Sequence, residues 1–364
     1  MAERARQLLV GSMAPCSGKT ATIVGLACQL QQRGMAIACG KPLGTTPQDG
    51  AAATEEADLQ FIQRTLALPP ERCYPPILQL DSPTVARQLR GEGPRDLEDR
   101  LQQYAAQFRG DLTLLEGPQT LAAGAAFQLS LPQMAAALTA DVALVARYDA
   151  CQLADELLAA RSALGERLLG VAISDVPAEA LPSATTELVP YLERSGIPVL
   201  GALPRQSLLR GVSVRELAQQ LQAQVLCRRD RLDLMVETLA IGAMNVSSAI
   251  QYFRQRANLA VVTGGDRSDL QMAALETATT HCLVLTGGVR PRDFVLAQAE
   301  RLEIPVLSVD RDTLAAVETA DWAFGQARFA ALAKVPCVRE LIGTHFDTDR
   351  LLRSLGWEPA VPTP

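Results

Sequence analysis

Short apolar runs along this chain alternate with longer stretches in which apolar positions recur every three or four residues. Gln7 to Gly11 is the first run and a strand candidate. A Gly/Ser turn follows it, and Lys19 to Gln32 then carries the helical period until Arg33-Gly34 stops it. Further strand candidates are Met35 to Gly40, Asp111 to Leu115, Asp141 to Val145, Gly170 to Ile173 and Ile197 to Gly201, with helical stretches between most of them. Strands this short and this apolar, separated by helices, predict an α/β fold: a parallel sheet covered by helices on both faces.

A helix candidate at Val214 to Gln222 precedes the charged run Cys227-Arg228-Arg229-Asp230-Arg231, which reads as a solvated linker. Beyond it a second βα series is expected. Residues 232 to 244 read as helix, Leu259 to Thr263 as strand and Ser268 to Thr277 as helix; Cys282 to Thr286 is again strand, Arg292 to Arg301 helix and Val306 to Val309 strand. Within this series VVTGGDRSDLQMAAL and VLTGGVRPRDFVLAQ repeat one pattern, strand, Thr-Gly-Gly and helix. The bland reading is that Gly264-Gly265 and Gly287-Gly288 make tight turns. The functional reading is that paired glycine loops at helix starts offer N–H groups to an anion. The expected division is residues 1–224, 225–330 and a C-terminal tail, 331–364, whose Pro-rich end GWEPAVPTP frays.

With 364 residues, two domains are the natural expectation. A net charge of −6 gives no electrostatic reason to expect nucleic acid or an anionic membrane as partner. No apolar run approaches the roughly 18 to 20 residues a membrane helix needs, and the N-terminus lacks a signal-peptide core. The chain is therefore expected to be cytoplasmic. Its 8 cysteines form no CxxC pair, and with only His281 and His345 a histidine metal site or a Ser-His-Asp triad lacks parts.

The stretch GSMAPCSGKT follows a strand and opens a helix, the context that gives a Gly-Lys-Thr loop chemical meaning. Gly11, Ser12, Pro15, Cys16, Ser17 and Gly18 form the expected nucleotide-binding stretch, whose main-chain N–H groups, lacking only at Pro15, are expected to surround phosphate oxygens. The Lys19 ammonium offsets their charge, and the Thr20 hydroxyl is a ligand for Mg2+. The spacing departs from the commonest loop, since Met13 stands where a glycine is usual and Gly11 lies two positions further back. Cys16 beside Lys19 and a helix start is a candidate redox-sensitive thiol or, on the bland reading, an inert one. Lys41-Pro42, after the second strand, projects a lysine toward bound ligand or, on the bland reading, toward solvent. Glu116 ends an apolar strand, where a carboxylate can hold Mg2+ or its water or, on the bland reading, faces solvent. Asp58 is either a helix-start dipole partner or a further Mg2+ carboxylate.

Taken together, GSMAPCSGKT, CGKPLGT, DLTLLEGP, GVAISDVP and IPVLGALP resemble the dethiobiotin synthetase and cobyrinic acid amidase-like branch of P-loop proteins. With the region to about residue 330 added, the chain resembles the N-terminal regulatory portion of long phosphotransacetylases, a dethiobiotin-synthetase-like P-loop domain followed by a DRTGG domain. The resemblance implies a P-loop NTPase parallel sheet followed by a smaller α/β DRTGG-type domain. It implies ATP and Mg2+ as ligands, held by Lys19, Thr20 and Glu116, with Lys41 toward substrate and phosphate and Asp58 as second metal acid. It implies a homo-oligomer, dimer or higher, and a second ligand site around Thr263, Gly264, Gly265, Asp266, Arg267, Gly287 and Gly288. Two departures matter: Pro118-Gln119-Thr120 replaces a Gly-rich loop, and Ser174 stands where a base-reading Asn is expected. The residues after 330 are also too few for the acetyl-transferring domain.

Three functions follow as expectations. The leading one is a non-catalytic or weakly hydrolytic nucleotide-binding regulator with a metabolic enzyme as possible partner. The second is an ATP-dependent ligase or synthetase that activates a carboxylate or carbamate, for which Lys41 is the catalytic candidate. The third is a partner-binding scaffold with a vestigial P-loop.

Overall fold

The computed structural model describes residues 5–45, 55–325, 327 and 329–357. The chain divides into two compact units, Met1–Arg205 with Val335–Pro364, and Gln206–Lys334.

In the first unit, seven strands form one sheet: β1 Arg6–Ser12, β2 Ile37–Gly40, β3 Cys73–Tyr74, β4 Leu112–Glu116, β5 Asp141–Arg147, β6 Leu168–Val176 and β7 Val199–Pro204. Their order is β3-β2-β4-β1-β5-β6-β7, and every neighbouring pair is parallel. The apolar runs are strands because both faces are covered. Leu9, Leu115, Val142 and Leu144 pack with the helices at Leu97–Ala105, Leu131–Leu138 and Leu153–Leu164 in one core. The other face receives α1, Lys19–Gln32, which is buried around most of its circumference because a further helix covers it from outside.

The residues expected as a C-terminal tail contribute that outer helix. Val335–His345 packs on α1, with Ile342 against Gly25, and Thr348–Ser354 packs on β6 and β7. Asp347 N–H donates to Leu200 O at 2.6 Å, and Arg350 grips Glu193 at 2.6 and 2.9 Å. Val338, Leu341, Ile342, Leu351 and Leu352 are buried there, at a periodicity that the short, Pro-ended segment concealed.

The second unit holds a five-stranded sheet of β8 Gln224–Cys227, β9 Thr238–Ile241, β10 Leu259–Gly264, β11 Thr280–Thr286 and β12 Val306–Ser308. The order is β8-β12-β11-β10-β9, with only β8 antiparallel. Helices Val246–Arg254, Ser268–Leu275 and Asp293–Arg301 cover one face, and Val214–Gln220 with Thr313–Gly325 covers the other.

The reading of residues 232–244 as helix is corrected here. Met235–Val236 pairs with Val212–Ser213, and Thr238–Ile241 pairs in parallel with Leu259–Val262. Over so few residues an apolar run carries no decisive period, and the open edge of β10 decides it. These pairings also carry residues 206–224 into the second unit, so the division falls earlier than the charged run. That run lies inside the unit, not in a linker: Arg228 reaches Asp230 at 2.6 Å, and Arg231 reaches Glu303 at 3.5 Å.

Candidate nucleotide site

Pairing register builds the site. Val10 of β1 lies opposite Glu116 of β4, and Gly11 opposite Leu144 of β5, so the turn leaving β1 emerges between an acidic strand end and the end of β5. Gly11 itself belongs to the strand; a Cβ there would meet Leu131 Cδ2 at 2.3 Å, so its role is close packing and the loop proper begins after Ser12. The turn needs left-handed backbone at Cys16, φ 53°, and Gly18, φ 95°, before α1 begins at Lys19. Pro15 and Cys16 are exposed and Ser17 is buried, its hydroxyl donating to Ala14 O.

Lys19 folds back over the turn, and its Nζ donates to Ser12 Oγ at 2.8 Å. Ser12 Oγ lies 2.7 Å from Gln119 O, which gives the Pro118-Gln119-Thr120 segment a part in closing the loop. Burial pushes the Lys19 ammonium below its ordinary value; the Glu116 carboxylate opposes that shift and the Lys41 ammonium adds to it.

Glu116 is the hub of the other side. Thr20 Oγ1 donates to its Oε2 at 2.9 Å, and Lys41 Nζ lies 3.3 Å from its Oε1. Burial raises the carboxyl, but the ammonium groups of Lys41 and Lys19 and the hydrogen bonds from Thr20 and Lys41 outweigh it and hold Glu116 below the usual range. Hydroxyl and carboxylate oxygens side by side are the hard donors Mg2+ prefers, with the remaining positions taken by water and phosphate. Thr20 and Glu116 therefore fit the ion. Asp58 lies on the helix Glu55–Thr65, and its side chain falls outside the described residues.

A second cluster flanks the loop on the β5 side, and of it the sequence reading singled out only Ser174, as a departure. Arg147 Nη2 donates to Cys16 O at 2.7 Å, and Ser174 Oγ donates to Ser17 O at 2.8 Å. Asp175 takes Arg205 Nε at 2.9 Å and lies 3.8 Å from Arg147 Nε. The available signal was position: all stand at or just beyond the carboxyl ends of β5, β6 and β7, where ligands approach a parallel sheet.

In the second unit, the two glycine turns do lie side by side at the ends of β10 and β11. Their amides are engaged: Gly265 N–H donates to Thr286 O at 3.0 Å, Gly287 N–H to Arg311 O at 2.9 Å and Gly288 N–H to Val309 O at 3.0 Å. Thr263 is buried with its hydroxyl on Gly242 O, Gly264 O accepts from Gln271 Nε2, and Arg267 pairs with Asp269 at 3.1 Å. The geometry thus favours turn-making for these glycines, with Asp266 beside Gly264.

Comparison with known proteins agrees with this architecture. The AAA domain family AAA_26 matches residues 6–213, and the DRTGG domain family matches residues 216–321. A phosphate acetyltransferase of Nitratidesulfovibrio vulgaris is 28% identical over 360 residues, covering 92% of this chain and 49% of that protein. One from Pseudomonas putida is 28% identical, covering 80% of this chain and 44% of that protein. The chain thus spans about half the length of the curated relatives it matches. Among solved structures, the CBS and DRTGG regulatory region of Clostridium perfringens pyrophosphatase, complexed with its activator diadenosine tetraphosphate, is 19% identical at a TM-score of 0.29, covering 44% of this chain and 76% of that one. Chloroplast FtsY from Physcomitrella patens is 16% identical at a TM-score of 0.35, covering 57% of this chain and 61% of that one. Among the described residues, no helix is long and apolar enough to cross a membrane.

Proposed function

Because the chain belongs to the AAA domain family AAA_26 and carries a DRTGG domain behind it, we propose that it is a regulatory protein that binds a Mg2+-nucleoside triphosphate, ATP in the first instance, at the turn following β1. One observation carries the reading: Thr20 and Lys41 converge on the two oxygens of buried Glu116, beside a loop over which Lys19 is folded. Thr20 and Glu116 would hold Mg2+, which supplies charge neutralisation between phosphate oxygens. Lys19 offsets phosphate charge from within the loop. Its present acceptor is the Ser12 hydroxyl, a neutral partner that a phosphate oxygen outbids electrostatically.

Calorimetry and thermal melts with Mg-ATP test this. A ligand that binds only the folded state adds about 2.7 kcal/mol at 100 times its Kd. The expected result is a clear rise in melting temperature that Lys19→Ala abolishes; no affinity in the wild type sinks the reading.

Lys41 supports a second reading, an ATP-dependent ligase or synthetase, since a lysine beside the Mg2+ carboxylate can offset charge on a transferred phosphoryl group. ADP release raised tenfold or more by one member of a diacid and diamine panel would favour it; a flat response counts against it. We further propose a homo-oligomer with a metabolic enzyme as partner, for which sedimentation of the purified chain, alone and mixed with an acetyl-transferring enzyme, is the direct measurement.

A further inference from the structure

Arg147 and Ser174 donate to the carbonyls of two consecutive loop residues, Cys16 and Ser17. A trans peptide is planar, with the carbonyl of one residue and the N–H of the next pointing in opposite directions. Holding Cys16 O toward Arg147 therefore directs Ser17 N–H away from it, and holding Ser17 O toward Ser174 directs Gly18 N–H away likewise. Between them the backbone alternates, with Cys16 and Gly18 left-handed. Such alternation turns successive amides into an anion-binding concavity. Arg147 is itself held: Asp175 lies between it and Arg205, and Arg205 N–H donates to Val176 O at 2.8 Å, which fixes that residue to the end of β6.

We propose that Arg147 and Ser174 are positioning residues for the phosphate loop, with Asp175 and Arg205 as the support that orients Arg147. On this assignment Ser174 shapes the loop that receives the phosphates and takes no part in reading the base. The inference rests on the nucleotide reading above and deepens it.

The experiment compares two probes, Mg-ATP and Mg-tripolyphosphate, on the full chain as wild type, Arg147→Met and Ser174→Ala. Loss of a charge-assisted hydrogen bond predicts about a tenfold weaker Kd for Arg147→Met, and loss of a neutral one about a threefold weaker Kd for Ser174→Ala. Each factor should be the same for both probes, because a loop brace acts on phosphate whatever base follows. Both side chains reach the surface, so the ligand-free melting temperatures should stay within a few degrees of wild type and report intact folding. A loss confined to ATP overturns the assignment and places these residues at the base. Wild-type binding with neither variant weakened also overturns it. A wild type that binds neither probe overturns the nucleotide reading, and this inference falls with it.

Discussion

Thr20 and Glu116 stand far apart in sequence, yet the Thr20 hydroxyl donates to the Glu116 carboxylate at 2.9 Å, and the second oxygen of that carboxylate faces Lys41. The first helix of the chain and the strand beside β1 are thereby joined at the start of α1 and the end of β4.

The Glu116 carboxyl is held below its ordinary value of 4.5, because neighbouring ammonium groups outweigh the cost of burial. Its folded-state pKa lies under the unfolded one. The stability it contributes is therefore complete above about pH 4.5 and is lost as pH falls through the folded-state value. Glu116→Gln should cost about 3 kcal/mol at pH 7, since it leaves the ammonium groups of buried Lys19 and half-buried Lys41 without that carboxylate. That deficit should shrink as urea melts of both proteins are taken from pH 7 to below pH 4. A deficit that stays constant would refute the ion-pair account.

Gly11 is a packing position. Gly11→Ala puts a methyl onto Leu131, and overpacking of a closed core costs about 1 to 3 kcal/mol. Adding Leu131→Ala should cost less in the Gly11→Ala background than alone, because the new methyl occupies part of the space released. Additive losses in denaturant melts would show that the two residues do not share that space.

Ile342 is fully buried on the C-terminal helix against Gly25 of α1. Ile342→Ala should destabilise the first unit by about 2 to 5 kcal/mol. Hydrogen exchange is the discriminating measurement: amides of α1 and β7 should lose protection, whereas those of β10 and β11 should keep theirs. Uniform loss across both sheets would contradict the assignment of the last helices to the first unit.

Lys334 is 1% exposed, and burial pushes its ammonium down to about 8 from 10.5, with Glu216 opposing the shift only in part. Between about pH 8 and 10.5 the unfolded chain holds a proton that the folded chain has released, so stability rises with pH across that window. Relative to Lys334→Met, the wild type should gain up to about 3 kcal/mol from pH 7.5 to 10.5. A pH-independent difference would place the amine in a wet, charged setting.

Local sequence determined the elements whose chemistry is self-contained. The start of α1 at Lys19 and its end at Gln32 follow from a glycine before the helix and an Arg-Gly stop, and β1, β5 and β10 follow from apolar runs too long to be turns. The roles of Lys19 and Thr20 as candidates likewise follow from residue type and neighbours. Tertiary structure decided whatever depended on a partner distant in the chain. Thr238–Ile241 became a strand because β10 offered it an edge, and Val335–His345 became part of the first unit because α1 and β7 left an apolar face for it. Arg147 and Ser174 acquired meaning only when β5 was laid beside β1 and β6 beside β5, which brought their ends to the carbonyls of the loop. A hydrogen-bond acceptor 131 positions away leaves no trace in local periodicity, since only the folded sheet brings the two together.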